Sequence, residues 1–463
     1  MLFSGGELKL VHAFEVNGYY IAVDVNSGSV HSLDRITYEI LKAFPDDFSK
    51  DKAIQRFKDT FGLDDVMEAC EEIERLKAEG MLYSPELDDT SLLRQLENGN
   101  GLKALCLHVA HDCNLRCKYC FASEGNYCSE RRLMPEEVAF RALDYLVSHS
   151  GNRRNIEVDF FGGEPLLNFD VVKSVVAYGR EIEKRGEKKF HFTITTNGTL
   201  LDGERIDFIN ENMDNVVISL DGRKSIHDSM RYHRNGRGSY DRIVGYAKQL
   251  VNGRGDKSYY IRGTFTNENL DFSEDVFHIA GLGFDEISIE PVVGSGQPFH
   301  ITEEHIPAIL DEYERLAKRC IEYIKSGKKL NFYHFNVNLY GGPCIQRRIV
   351  ACGAGFEYLA VSPEGHFFPC HQFVGQPQFI MGDVFRGIDD PGRLSDRFKR
   401  CNILTKEQCR VCWAKYFCSG GCHANAYFTN GSIDIPNELA CLMQRKRIEC
   451  ALMMEVALSS ESA

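Results

Sequence analysis

Three cysteines, Cys113, Cys117 and Cys120, stand in the run His111-Asp112-Cys113-Asn114-Leu115-Arg116-Cys117-Lys118-Tyr119-Cys120, with three residues inside the first pair and two inside the second. The run follows the strand-like segment Ala104–Ala110, so the thiols share one loop at the carboxyl end of a predicted strand. Three thiolates can hold three irons of a 4Fe-4S cube and leave the fourth iron free to chelate a small molecule, whereas a purely structural cluster normally uses four cysteines. Zinc prefers paired CxxC units and four nitrogen or sulfur ligands, which this spacing fits poorly. A zinc knot or a structural cluster is the alternative. No fourth cysteine stands at matching spacing, and Cys128 lies beyond a glycine-containing turn.

The chain holds 17 cysteines in 463 residues. Its opening, Met1-Leu2-Phe3-Ser4-Gly5-Gly6-Glu7, lacks a basic region followed by an apolar run, so no signal peptide is expected. No stretch approaches the ~20 apolar residues of a membrane span. The expectation is a soluble cytoplasmic protein whose thiols stay reduced. An odd cysteine count fits a disulfide framework poorly, so thiols clustered at short spacings read as metal or cluster ligands. The formal charge of −13 argues against a nucleic-acid or membrane-surface binder, which would carry a basic excess.

Around the cysteine loop, strand-like runs alternate with amphipathic helical stretches. The runs are Ala104–Ala110, Ile156–Phe161, Phe190–Thr196, Val216–Leu220, Tyr259–Phe265 and Glu286–Glu290. This order predicts an α/β fold with a parallel sheet, whose ligands sit at the carboxyl ends of the strands. Three segments stand at such ends: Phe161-Gly162-Gly163-Glu164-Pro165, Thr195-Thr196-Asn197-Gly198 and Ser219-Leu220-Asp221-Gly222. Each alone is also readable as a turn.

Ahead of this core, Leu10–Val16 and Tyr19–Val25 flank the hairpin signal Asn17-Gly18, and a short strand is expected near Ser29–Leu33. Three helices follow: one capped by Asp34, one capped by Ser49, and one from about Asp64 with Met67, Cys70, Ile73 and Leu76 on its apolar side. A hairpin with three helices is winged-helix-like. The third helix carries Glu68, Glu71, Glu72, Glu74 and Glu79 instead of basic residues, so it points to peptide or protein binding and not to DNA. The expected division is 1–88 for this module, 89–102 for a polar linker, 103–310 for the core, 311–340 for a bridging helical segment, 341–450 for a cysteine-rich domain and 451–463 for a tail.

In that last domain, Cys409-x2-Cys412-x5-Cys418-x3-Cys422 precedes Cys441, while Cys352 precedes Gly365-x4-Cys370. Taken alone, Cys409 and Cys412 also read as an ordinary zinc pair.

As a set, the residues of the first loop resemble the radical SAM superfamily, with its signature CxxxCxΦC, in which Tyr119 fills the aromatic place. The resemblance implies a partial (β/α)6 barrel and a 4Fe-4S cluster on Cys113, Cys117 and Cys120. It also implies cleavage of S-adenosyl-L-methionine (SAM) to a radical that abstracts hydrogen from substrate. It assigns Tyr119, Gly162, Gly163, Glu164, Asn197, Ser219 and Arg231 to the SAM site, with Arg234 a near neighbour of Arg231. The second cysteine order resembles the SPASM domain. That implies one auxiliary 4Fe-4S cluster on Cys409, Cys412, Cys418 and Cys441, another on Cys352, Cys370 and Cys422 with Cys344 as the candidate fourth ligand, and so three clusters in all.

The N-terminal module resembles the RiPP recognition element, which binds the leader of a ribosomally made precursor peptide as an added strand. Nearly the whole chain is similar to the SCIFF-peptide maturases, through stretches such as Val158-Asp159-Phe160-Phe161-Gly162-Gly163-Glu164-Pro165 and Cys370-His371-Gln372-Phe373-Val374-Gly375. These enzymes join a cysteine sulfur to a carbon of another residue, and a low-potential flavodoxin or ferredoxin is the implied electron donor. The rival reading is an anaerobic sulfatase maturase, in which an aspartate stands where this chain has His371. His371 is a candidate base or a hydrogen-bond donor to a cluster sulfur. A multi-cluster electron carrier or a zinc-bound regulator is the reading of another class. Cys70, Cys106, Cys320, Cys401 and Cys450 read as buried apolar residues.

Overall fold

The structure, a computed structural model, describes residues 9–88, 93, 101–127, 130–186, 188–339, 345–390 and 392–459. Asn17 and Gly18 both take positive φ, 51° and 82°, which matches the twist a two-residue hairpin demands. They close β1 (Val11–Val16) on β2 (Tyr19–Asp24) with Val16 opposite Tyr19. Strand β3 (Val30–Leu33) pairs antiparallel with β2 and forms one edge of this sheet.

Asp34 caps α1 (Arg35–Ala43) by accepting the Thr37 amide at 2.7 Å. Ser49 stands at the start of α2 (Lys50–Phe61) but makes no side-chain cap. In α3 (Leu63–Ala78) the buried face is Val66, Ala69, Cys70 and Ile73, while Met67 is exposed. The expected three-residue stepping drifts off a 3.6-residue helix, and Val66 takes the place expected for Met67. The Glu68, Glu71, Glu72 and Glu74 side is exposed.

The six expected core strands form as β4 (Ala104–His111), β5 (Asn155–Gly162), β6 (Lys189–Thr196), β7 (Asn215–Ser219), β8 (Ser258–Phe265) and β9 (Glu286–Pro291). They lie side by side in chain order, all parallel. In β6 and β7 alternate residues Phe190, Phe192, Ile194, Val216 and Ile218 are fully buried, and Thr193, Thr195 and Val217 between them line a cavity. Two parallel strands extend the sheet beyond the sequence reading: Asn331–Phe332 beside β9, and β10 (Tyr358–Val361) beside β4. The cysteine-rich segment therefore starts inside the same sheet as the core. Its last helix, Glu438–Ser459, packs on the helix Ile306–Lys325 and continues through the boundary expected at 450.

The N-terminal sheet is docked on this segment. His12 stacks on Trp413 with ring centroids 3.9 Å apart, and its Nε2 donates a hydrogen bond to the Glu449 carboxylate, 3.0 Å away. Lys446 ties Glu449 and Glu314 together at 2.8 and 2.7 Å.

His227, fully buried, braces the end of β7: its Nδ1 accepts the Asp221 amide at 3.2 Å, and Nε2 faces the Ser239 hydroxyl at 2.9 Å. Burial, with the Arg231 charge adding, pushes its pKa down to about 3. Below the unfolded-chain value near 6.5 the unfolded imidazole takes a proton that the folded one refuses, so stability falls as pH drops from 6.5 towards 3. At pH 5 this one group removes ~2 kcal/mol relative to pH 7. Urea unfolding of wild type and His227→Gln at pH 7 and pH 5 tests this: the variant loses stability over that interval by ~2 kcal/mol less.

Candidate active site

The loop after β4 is shaped by its own short-range bonds. The Asp112 carboxylate accepts the Cys113 amide at 2.8 Å, and the Cys113 sulfur faces the Leu115 amide at 3.4 Å. Leu115–Cys117 then pairs antiparallel with Arg231–His233, placing Arg231 opposite Cys117. That register brings Arg231 Nη1 to 3.7 Å from the Cys117 sulfur, while its Nε donates to the Tyr119 hydroxyl at 2.7 Å. Tyr119 in turn donates to Asp221 at 2.6 Å, so a buried Arg–Tyr–Asp chain stands behind the thiols. Arg234 lies on the outer rim, bonded to Asp112 at 2.7 Å and to the Cys113 carbonyl at 2.8 Å.

Glycines in the loops after β4 and β5 allow the close approach. A Cβ on Gly163 would sit 2.2 Å from the Asp112 carbonyl oxygen, and one on Gly125 would sit 2.6 Å from Cys113 Cβ. Glu164 is fully buried and saturated: it accepts from the Leu166 amide at 3.0 Å, the Thr196 hydroxyl at 2.7 Å and the Asn197 amide at 2.7 Å. Burial raises its carboxyl to about 7 against these donors. Its visible work is to tie the end of β5 to the end of β6. Asn197 carries the link onward, donating to Asn114 at 2.9 Å and reaching the Cys113 sulfur at 3.6 Å. Ser219 ends β7, half-buried, beside Arg262 of β8.

Burial lifts the Cys113 thiol to about 11 and the Cys117 thiol to about 12, the latter opposed by Arg231, and each is raised further by the other thiols of the loop. Among the described residues no three His, Cys, Asp or Glu side chains close to the spacing of a single-ion site. Cys120 adds to the burial that raises both Cys113 and Cys117.

The second cysteine field divides in the same way. Cys409, raised to about 12 mainly by burial, is pushed further by Cys418, Cys441 and Cys412. Cys370 is raised by burial and then by Cys422 and Cys352. Cys70, Cys106, Cys320, Cys401 and Cys450 are buried as expected. Cys344 and Cys128 lie outside the described residues. All-sulfur sets around glycine-cradled loops fit iron–sulfur clusters, and loading any of them must expel the thiol protons.

Between the sheet and the cysteine field lies a cavity of about 780 Å³. Its walls include Asp159, Arg262, Glu290, Tyr358 and His371, with Cys422 open on its far side. Arg262 pairs with Glu290 and holds its carboxyl down to about 2 against burial. Asp159 is pushed up to about 7 by burial and by Glu157. His371 follows Cys370, meets the Tyr358 hydroxyl at 3.1 Å, and lies 6.0 Å from the ring of Phe121, the residue after Cys120. It therefore spans the two cysteine fields, and burial keeps it neutral with a pKa of about 4.

Sequence reasoning passed over Asp221, Asn114, Thr196 and Asp159. Asp221 was within reach: it stands two residues beyond Ser219 in the Ser219-Leu220-Asp221-Gly222 segment already read at the end of the fourth strand. Asp159, inside a run read only as strand, carried no separate signal.

The profile of the Radical SAM superfamily matches residues 107–276. MJ0907 of Methanocaldococcus jannaschii, an uncharacterized protein, is 32% identical over 227 residues, which is 48% of this chain and 73% of that protein. The structure of anSMEcpe with bound AdoMet and Cp18Cys peptide superposes with a TM-score of 0.64 at 18% identity, covering 77% of this chain and 99% of the other. Streptococcus suis SuiB bound to precursor peptide SuiA superposes with a TM-score of 0.51 at 15% identity, covering 93% and 98%. No helix among the described residues is long and apolar enough to cross a membrane. With its cysteine loop at the mouth of a parallel α/β sheet, the chain belongs to the radical SAM superfamily.

Proposed function

We propose that this protein is a peptide maturase that joins cysteine sulfur to carbon in a ribosomally made, Cys-rich precursor peptide. In this reading residues 1–88 are the leader-binding module, 103–310 the radical SAM core and 341–450 a SPASM domain with two auxiliary 4Fe-4S clusters. The observation that carries it is the docking of a small sheet with an open β3 edge onto the loop that holds Cys412, through His12 and Trp413. A sulfatase maturase needs no such module, and the likeness to anSMEcpe covers 77% of the chain where the likeness to SuiB with its precursor covers 93%.

Cys113, Cys117 and Cys120 would hold the 4Fe-4S cluster, whose chemistry would be the one-electron reduction of SAM to a hydrogen-abstracting radical. The chain's own residues do the rest. Arg231 and Asn197 hold two of the three sulfurs in place. Arg262, Glu290 and Asp159 offer a charged pair and a protonatable carboxyl to a polar peptide threaded into the cavity. Neutral His371, fixed by Tyr358, stands between the radical-generating loop and Cys370 and is able to accept a proton. Cys422, open to the cavity, lets a substrate thiol approach the first auxiliary group. The acidic side of α3 favours a leader with basic residues along the β3 edge.

Reduced, iron-loaded protein incubated with SAM and a Cys-rich precursor yields a product lighter by two hydrogens per cross-link, with one thiol lost for each. Formylglycine formed in a sulfatase-type peptide, with the precursor untouched, would mean that the rival is right. Cys113→Ala abolishes deoxyadenosine formation while ~8 of ~12 irons per chain remain. Removing the leader from the precursor raises KM by about tenfold or more, equivalent to ~1.4 kcal/mol of lost binding; an unchanged KM would rule out leader docking on the N-terminal module.

A further inference from the structure

Lys406 is a buried cation with no carboxylate to answer it. Its side chain lies in a residue only 3% exposed, and its Nζ donates to the Gly420 carbonyl at 2.9 Å. Among the described residues no Asp or Glu forms a salt bridge with it. Asp434, the carboxylate that shares its neighbour Cys401, is exposed and turns to Arg397 at 3.7 Å. An ammonium group taken out of water without a counter-charge is costly, so such a group persists where anions are held nearby.

The position says which anions. Gly420 lies midway between Cys418 and Cys422, one from each of the two thiol groups. At the backbone, the Lys406 carbonyl accepts the amides of Cys409 and Arg410, both at 3.0 Å, so the residue is pinned at each end. The Nζ also lies 3.9 Å from where a Cβ on Gly420 would stand, so the ammonium is seated against the short loop that joins Cys418 to Cys422. The first loop has a counterpart in Arg231, 3.7 Å from the Cys117 sulfur.

We propose that Lys406 is a positioning residue shared by both cysteine groups of the C-terminal segment, a fixed positive charge that compensates the clusters bound there and raises their reduction potentials. This rests on the reading that the two groups hold auxiliary clusters. A nearby cation stabilises the more negative, reduced state of a thiolate-ligated cluster, and charge is one of the levers that set such potentials.

The test is a redox titration followed by electron paramagnetic resonance on full-length, anaerobically reconstituted wild type, Lys406→Gln, Lys406→Met and Lys406→Arg, with iron and sulfide counted for each. Gln and Met are expected to keep the wild-type iron content. At the wild-type midpoint of at least one auxiliary cluster their reduced-to-oxidised ratio falls about tenfold, a shift of ~59 mV for one electron. Arg restores the wild-type midpoint, and the cluster on Cys113, Cys117 and Cys120 does not move. If Gln and Met lose the auxiliary irons while Arg retains them, the charge is needed even for loading, which also supports the proposal. Unchanged midpoints in fully loaded Gln and Met would overturn it, as would equal loss of iron in all three variants, which would indicate packing and not charge. A wild-type chain with only ~4 irons would overturn the auxiliary-cluster reading itself, a result separate from any effect of position 406.

Discussion

The geometry of the site depends on one buried carboxylate. Glu164 brings no exposed chemistry; both of its oxygens are consumed by groups at the ends of neighbouring strands. Removing a charged acceptor from such a place strands several donors at once, which is why a saturated acid is a stronger clamp than a new apolar contact. Through Asn197 the clamp extends to Asn114 and the Cys113 sulfur, so the thiol loop is positioned from the sheet upward and not by its own short turns alone.

The parts of this design that were legible in the sequence are those written in local patterns. Six alternating apolar runs predicted six parallel strands, and the Asn17-Gly18 pair predicted a hairpin whose φ values the structure reproduces. The two thiol groups of the C-terminal field were legible as order and spacing alone, Cys409, Cys412, Cys418 and Cys441 in one and Cys352, Cys370 and Cys422 in the other. What stayed hidden depends on long-range placement. Strand β10 is only four residues long and joins the sheet through β4, some 250 positions earlier in the chain. Lys406 looks like any lysine on a polar helix start until the fold encloses it. Met67 was misplaced for a smaller reason, a periodicity counted in threes where the helix turns in 3.6.

Charge is used in a consistent way in the interior. The thiol loop has Arg231, the cavity has Arg262 balanced by Glu290, and the C-terminal cysteine field has Lys406. The surrounding histidines, His227, His371 and His423, are held neutral by burial, so they present hydrogen bonds without adding charge. In a chain with a formal charge of −13, Arg231 and Lys406 thus set buried positive charge beside cysteine-bearing loops. Such placement shifts the local field far more than the same charges would at the surface.

The stack of His12 on Trp413 sets a limit on modular evolution. The N-terminal sheet and the cysteine field meet through the rings of His12 and Phe14 on Trp413 and a His12–Glu449–Lys446–Glu314 relay that draws on three distant stretches of chain. A front module transplanted from a relative would arrive without its matching surface unless position 12 and the ring beside Cys412 travelled together. Lineages that trade such modules are therefore expected to inherit the two ends of the gene as a pair, with covarying residues at this seam marking where the exchange was tolerated.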